Sequence, residues 1–490
     1  MAQRHLDRLT PVDASFLHQE GPTSHMHLGA IVVFDGPPIA YGELLEQIRE
    51  RLHLVPRYRQ KLAHTALDSG RPVWVDDPGF SAEYHVRHTA LPRPGDWGQL
   101  QALAARIFSQ PLDRQRPLWE MWLVEDLSDG GFALISKNHH ALIDGIAGVD
   151  LATVLFDLSP EPAPAHRALK PWKPHPEPGA SDLIAAGLRG AARTELRLAG
   201  AALHALAHPE RAMARAREAA EGLGEVAWAL LNPAPPTPLN VEIGPYRRFV
   251  GISSSLDDFK AVKDAFGGTV NDVVLAVVTG ALRELLTSRG VRTEGLELRA
   301  LVPVSVRAPG EHGEGGNRIV AIRGPLPVYI DDPLERLRFI AHAMSDLKES
   351  RQAVGAKVIA SAQHFAPPNL LAQASRLQFS TRLFNLIVTN VPGPQFPLYV
   401  RGRRLLHAYP IAFLPKRHAL AVAIMSYNGE INFSLLGDFD ALPDIDRVGE
   451  GIASELATLV ALAQDQAGVI SSINGSPSAA AQSAPLASPS

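Results

Sequence analysis

The chain has 490 residues, 46% of them hydrophobic and 20% charged, with a formal net charge of -4. A length of that order suggests two or three domains or one elaborated pair with sizeable cores, and neither overall disorder nor a nucleic-acid-binding charge balance is indicated. No cysteine occurs, which excludes disulfides, thiolate nucleophiles, iron–sulfur clusters and cysteine zinc sites, whereas 19 histidines make imidazole the natural base at neutral pH.

The start, MAQRHLDRLTPVDASFL, lacks the apolar core of a secretory signal. The longest apolar stretches, Val273–Leu282 and Ala419–Met425, fall short of the roughly 18–20 residues that span a bilayer. A soluble or peripheral protein made inside the cell is expected.

In chain order, Leu28–Phe34 (LGAIVVF) reads as a buried strand and Gly42–Leu52 as a helix. Pro72–Val75, Tyr84–Leu91, Leu118–Glu125 and Phe132–Ser136 read as strands, with a helix around Trp97–Gln110 between them. The chain then runs through KNHHALIDGIAG into an apolar helix at Gly148–Leu158. Ser159–Ala180 is proline-rich and predicts an extended linker. Ser181–Asn232, dominated by Ala, Leu, Arg and Glu, predicts long helices broken near His208-Pro209.

A second α/β half begins near Tyr246. Arg248–Ser254 and Leu298–Val306 read as strands, separated by the helix Asn271–Ser288. A strand at Arg318–Val328 precedes an amphipathic helix that Asp332-Pro333 opens. Strands follow at Leu386–Thr389, Leu405–Phe413, Ala419–Tyr427 and Ile431–Leu436, then a helix at Asp444–Gln466. The tail Ser471–Ser490 is of low complexity and predicts disorder. The expected organisation is therefore a first half over residues 1–158, a linker and helical crossover over 159–245, a second half over 246–468 and a tail over 469–490.

The segment from Asn138 to Gly145 carries the chemistry. His139 and His140 are adjacent at a strand-to-helix junction, so one imidazole should face a cleft and the other the scaffold. An imidazole near its ordinary pKa of about 6.5 can take a proton from a hydroxyl and return it to a leaving group. Asp144 either orients a histidine or forms a buried ion pair that fixes the loop, and Gly145 lets the backbone turn or approach closely. Plain packing histidines are the alternative, and no third ligand at recognisable spacing supports a metal site.

His139-His140-Ala-Leu-Ile-Asp144-Gly145 matches the His-His-x-x-x-Asp-Gly motif of the CoA-dependent acyltransferase superfamily. The wider chain resembles the bacterial wax ester synthase/acyl-CoA:diacylglycerol acyltransferase family. The likeness runs through LTPVDASFL at Leu9–Leu17, VPRYRQKL at Val55–Leu62 and PVWVDDPGFSAEYHVRH at Pro72–His88, then PLDRQRPLWEMWLVEDL at Pro111–Leu127. It continues in TVNDVVLA at Thr269–Ala276, PVSVR at Pro303–Arg307, FNLIVTNVPGP at Phe384–Pro394 and SYNGEINFSL at Ser426–Leu435.

The resemblance implies an α/β (α+β) fold. It would have two chloramphenicol-acetyltransferase-like halves, each a mixed sheet flanked by helices, with the active-site tunnel at their interface. It implies long-chain acyl transfer from acyl-CoA, a co-substrate rather than a cofactor, to a diacylglycerol or fatty alcohol, giving triacylglycerol or wax ester. His140 would be the general base, with His139 and Asp144 completing the catalytic motif. No covalent acyl-enzyme is required, in keeping with the lack of cysteine and of a Gly-x-Ser-x-Gly elbow. By the family pattern Asp144 is structural, with Arg307 as its partner. Asn271-Asp272 reads equally as a helix cap or as active-site support, and Asn390 as tunnel lining or an oxyanion donor. No metal is implied. Relatives of the same fold that use another acyl carrier or acceptor, and a non-catalytic acyl-binding or lipid-droplet protein, are the rival readings.

Such apolar substrates place the expected site of action at the inner face of the cell membrane or on lipid droplets. Within Ser181–Asn232, Arg189, Arg193 and Arg197 form a basic stripe, and Leu188, Leu196, Leu203 and Leu206 supply apolar area. The segment either meets that surface or covers the two halves.

Overall fold

The computed structural model describes residues 7–64, 72–142, 155–161, 172–185, 231–305, 319–349 and 379–474, with isolated positions between 196 and 217. The first half contains β1 (Asp7–Arg8), α1 (Pro11–Gln19), β2 (His27–Phe34), α2 (Tyr41–Arg51), β3 (Gln60–Ala63), β4 (Val73–Asp76), α3 (Ala82–His85), β5 (Val86–Ala90), α4 (Trp97–Ser109), β6 (Trp119–Glu125) and β7 (Phe132–His139). The second half opens with β8 (Arg247–Ser255), α5 (Leu256–Phe266), α6 (Val270–Ser288), β9 (Leu298–Ser305), β10 (Ile319–Leu326) and α7 (Pro333–Glu349). It closes with β11 (Leu386–Pro392), β12 (Tyr399–Val400), β13 (Arg403–Ile411), β14 (Leu420–Tyr427), β15 (Glu430–Asp438) and α8 (Asp446–Asn474).

Two mixed six-stranded sheets dominate, ordered β12-β13-β2-β7-β6-β5 and β10-β9-β11-β14-β15-β8, beside a small sheet β1-β4-β3. The expected α/β class with two sheet-and-helix halves is what the chain adopts. Every residue of β7 is buried, so this strand is the spine of the first half. It pairs antiparallel with β2, His139 standing opposite His27.

The second sheet packs one face under helices. Phe433 of β15 meets Phe259 of α5 at 6.0 Å between ring centroids, and α6 contributes a buried stripe from Val273 to Leu286. Among the described residues no single helix is long and apolar enough to cross a membrane.

Several elements differ from expectation. The strand at Phe132 runs on to His139, because Lys137, Asn138 and His139 are buried rather than released to a loop. The expected strand from Tyr84 begins as a helical turn, the Tyr84 N–H capped by Ser81 Oγ. α5 was not foreseen: its charged residues cover an outer face, while Leu256, Phe259 and Val262 bury an inner one. The last helix continues past Gln466 to Asn474. Most of the expected Gly148–Leu158 helix lies outside the described residues.

The main topological finding is a crossover. β12 and β13 belong to the second half in sequence but complete the first half's sheet, β13 pairing antiparallel with β2. The two halves are thereby interlocked. Close approach supports this: a Cβ on Gly251 of β8 would stand 2.8 Å from the Trp97 ring and 3.1 Å from Tyr409, so only glycine lets these elements meet. The proline-rich segment lacks regular structure at 172–179 and is strapped to the small sheet. There the His175 backbone N–H and ring Nδ1 lie 2.9 and 2.7 Å from Asp76 Oδ2, and the Arg59 guanidinium stacks over Trp172.

Candidate active site

Alternation along a strand decides what the two histidines can do. His139, the last residue of β7, points inward and is 1% exposed. The Ala141 N–H donates to its Nδ1 at 2.9 Å, so the ring proton sits on Nε2, which lies 3.2 Å from Glu20 Oε1. With Nδ1 accepting and the proton on Nε2, which is in charge contact with Glu20 but makes no hydrogen bond among the described residues, His139 has no free lone pair for catalysis.

Glu20 is the hub of this cluster. Its Oε1 accepts the Met26 N–H at 2.9 Å, and its Oε2 accepts from Arg114, whose Nε stands at 3.1 Å and whose other guanidinium nitrogen also binds it. Arg114 additionally donates to the Leu17 carbonyl at 3.1 Å. Burial works to raise the Glu20 carboxyl, but His139, His27 and Arg114 together outweigh it and hold the group well below the usual carboxylate range. Glu20 is therefore ionised throughout the neutral range.

His140 is in a different environment. Its backbone N–H donates to the Met26 carbonyl at 2.8 Å, which links it to the loop held by Glu20. Its ring stacks on Phe16, with centroids 3.7 Å apart and planes 17° from parallel, and meets the edge of Phe413 at 5.7 Å. Nδ1 is buried without a hydrogen-bond partner among the described residues. Burial, with a smaller push from His139, lowers the imidazole to about 4, against a backbone hydrogen bond that works to raise it. The ring is consequently neutral at pH 7, held by aromatic walls rather than by polar partners. A neutral imidazole in an apolar cleft can accept a proton. Phe379, itself 5.6 Å from Phe413, extends these walls toward Phe384 at the start of the second sheet.

Beneath the histidines, Lys137 of β7 is fully buried. Its ammonium pairs with Glu120 at 2.6 Å and donates to the Ile107 and Gln110 carbonyls at 2.8 and 2.9 Å, the orphan acceptors at the end of α4. Three partners satisfy its three donors, so this is scaffold.

The expected site residues fall into three groups. His139 and His140 come together as described. Asp144, Gly145 and Arg307 lie outside the described residues, as do Arg189, Arg193 and Arg197. Asn271, Asp272 and Asn390 lie together in the second half. Asp272 resolves as a cap: its Oδ2 accepts from the Thr269 N–H and Oγ1, both at 2.8 Å, while Thr269 Oγ1 accepts the Asp272 N–H at 3.3 Å. This reciprocal box makes Thr269 the N-cap, and Asp272 Oδ1 is buried without a hydrogen-bond partner among the described residues. Asn390 donates to Asn271 at 3.3 Å, tying β11 to the start of α6. Trp119 is buried and donates to the Tyr58 carbonyl at 2.8 Å, a packing role.

Glu20, Phe16 and Arg114 were missed as site residues. One signal was available: Glu20 lies in a short stretch with His18, His25 and His27, an unusual density of imidazoles around one acid. Among the described residues, no cluster of His, Asp or Glu is arranged to hold a metal ion.

Residues 9–274 match the family model described as the wax ester synthase/diacylglycerol acyltransferase catalytic domain, and residues 315–460 match its C-terminal domain. A Mycobacterium tuberculosis protein described as the probable diacylglycerol O-acyltransferase tgs1 is 34% identical over 469 residues, covering 94% of this chain and 97% of that protein. A second from the same organism, described as the probable diacylglycerol O-acyltransferase tgs2, is 34% identical over 470 residues, covering 93% of this chain and 99% of that one. The solved wax ester synthase/diacylglycerol acyltransferase from Marinobacter aquaeolei VT8 superposes with a TM-score of 0.66 at 30% identity, covering 93% of this chain and 100% of that one. The starter condensation domain of rhizomide synthetase, at 14% identity and a TM-score of 0.56, shares the fold.

Proposed function

The chain belongs to the wax ester synthase/diacylglycerol acyltransferase family, and from that premise we propose how its histidine site carries out acyl transfer. The enzyme moves a long-chain acyl group from acyl-CoA to the hydroxyl of a diacylglycerol or long-chain alcohol. His140 takes the hydroxyl proton as the oxygen attacks the thioester carbonyl. The tetrahedral oxyanion collapses, the C–S bond breaks, and the proton on His140 is available to the departing CoA thiolate. An oxyester and free CoA result. Exchange of a thioester for an oxyester runs downhill, so the step invokes neither cofactor nor metal.

One observation carries the assignment of the base: of the two adjacent imidazoles, His139 has its acceptor nitrogen Nδ1 occupied by the Ala141 N–H, while His140 is neutral and its Nδ1 lacks a polar partner among the described residues. The low basicity of the His140 imidazole is an effect of burial. A developing oxyanion beside the ring favours the imidazolium and raises its proton affinity when transfer occurs.

Substrates of this kind partition into lipid, and a peripheral position on the inner membrane face or on lipid droplets follows from the proposal. In support, Leu196, Leu206, Met213 and Leu231 of the crossover segment are 72–80% exposed. Labelled palmitoyl-CoA offered with dipalmitoylglycerol or hexadecanol tests the activity. Labelled triacylglycerol or wax ester is the expected product, and no ester from either acceptor would overturn the proposal.

A further inference from the structure

The second sheet has two unlike faces. Ile431, Phe433 and Leu435 of β15 point toward the helices, as the Phe433–Phe259 contact shows. Asn432 and Ser434 point the other way, toward the first half. Their register partners are Met425 and Ala423 on β14, and Ser253 and Gly251 on β8. Residues opposite one another across a ladder share a face. Apart from Met425, this inner face is accordingly built from small and polar side chains, with Trp97 and Tyr409 set against it at Gly251.

Two donors on this face are unused. Asn432 is fully buried, and its Oδ1 accepts from Ser253 Oγ at 2.5 Å, which turns its amide nitrogen away. That nitrogen has no hydrogen-bond partner, and neither has Ser434 Oγ, although Ser434 is 1% exposed. Elsewhere in the same half a buried amide is fully used: Asn385 donates to the Pro235 carbonyl and Asn240, and accepts the Arg299 N–H. A buried donor left without its hydrogen bond is destabilising. Two on one strand face call for an acceptor.

Their placement points to which acceptor. Phe384 leads into β11 and belongs to the aromatic wall that reaches His140 through Phe379 and Phe413. β11 pairs with β14 from Ala421 onward. Ser434 is opposite Ala423, about 7 Å further along at roughly 3.3 Å per residue, and Asn432 about 7 Å beyond that. The row ends at Glu430, which binds His407 Nδ1 at 2.8 Å. His407 in turn lines a cavity of about 370 Å³ with Trp97, Ser253 and Tyr409. The row thus leads from the histidine toward an opening between the halves. Its two free groups are neutral donors, suited to a carbonyl oxygen rather than a phosphate.

We propose that Asn432 and Ser434 form a carbonyl-binding row that positions the substrate arm leading away from His140. This rests on the acyl-transfer reading above. The carbonyl belongs either to an amide of the pantetheine arm of acyl-CoA or to an ester of the diacylglycerol.

Ser434→Ala tests this, with palmitoyl-CoA as donor and dipalmitoylglycerol or hexadecanol as acceptor. Loss of one neutral hydrogen bond of about 1 kcal/mol predicts a KM raised about fivefold, with kcat held within about twofold. The thermal midpoint should stay level or rise, because an unpaired buried hydroxyl is removed. A raised KM for palmitoyl-CoA with both acceptors supports the row and assigns it to the pantetheine amide. A raised KM for dipalmitoylglycerol alone, with hexadecanol unaffected, supports it and assigns it to the acceptor ester. An unchanged KM for every substrate in a stable variant would overturn the inference while leaving the acyl-transfer reading intact. A wild type that makes no ester would overturn both.

Discussion

The end of β7 pairs its buried charges, whereas the inner face of β15 leaves two buried neutral donors without a partner. Around His139 the charged groups are paired, although Asn138 Oδ1 and His139 Nε2 make no hydrogen bond among the described residues. Glu20 has the His139 ring, the Met26 N–H and Arg114 around it, and Lys137 fills all three donors beneath. On β15 the Asn432 amide and the Ser434 hydroxyl are left over. The difference separates scaffold from substrate path. Paired charges over-determine a position, and the two neutral donors of β15 are the groups the carbonyl-binding proposal uses. His140 lies between the two regimes, fixed by backbone and aromatic stacking with its chemistry uncommitted.

The sharpest way to break this contrast is to unbalance the satisfied side. Lys137→Met leaves Glu120 buried with, among the described residues, only Arg87, 3.3 Å away, as a charged partner. About 3 kcal/mol or more of stability should be lost, read as a drop in the urea midpoint. Adding Glu120→Gln to that variant should recover part of it. An unchanged midpoint would mean that the pair is not part of the scaffold.

Acid should act on His140 next most strongly. Burial lowers it from 6.5 to about 4, so between those pH values the unfolded chain binds a proton that the folded chain refuses. Its contribution is intact above 6.5 and lost as pH falls toward 4, up to about 2 kcal/mol between pH 6.5 and 5 at about 1.4 kcal/mol per unit. His27, His85 and His418 are lowered too and add the same trend. Comparison with His140→Phe isolates one ring: the acid-induced loss should shrink in that variant. Equal losses in both would place His140 in an ordinary aqueous environment.

Glu20→Gln keeps an acceptor but removes the charge that holds His139 and the Met26 loop. A fall in kcat of about tenfold, with the KM for palmitoyl-CoA within about twofold, is expected in steady-state assays. A changed KM with unchanged kcat would instead make Glu20 a binding residue. The smallest effect belongs to the cap. Thr269→Ala should cost about 1 kcal/mol by urea unfolding and leave turnover nearly unchanged. A large loss of turnover would return Asp272 to the active site.

Local pattern made most strands and helices legible, and the histidine segment was legible as chemistry. Polar residues misled where burial neutralises them: KNH at the end of β7 looked like a loop because its lysine has no visible partner within the segment. α5 hid behind its charged outer face. The pairing of β13 with β2 could not be read locally, because a strand's sequence shows its period but not its neighbour across the sheet. Glu20 escaped for a similar reason. It meets His139 only through the β2–β7 pairing, more than a hundred residues away in sequence.

The central claim is that His140 alone takes the acceptor's proton. Single-turnover transfer of labelled palmitate from palmitoyl-CoA to hexadecanol and to dipalmitoylglycerol, wild type against His140→Ala, tests it most directly. The account predicts that the rate falls about 10²- to 10⁴-fold with both acceptors while the variant remains folded. Undiminished ester formation by His140→Ala would contradict it.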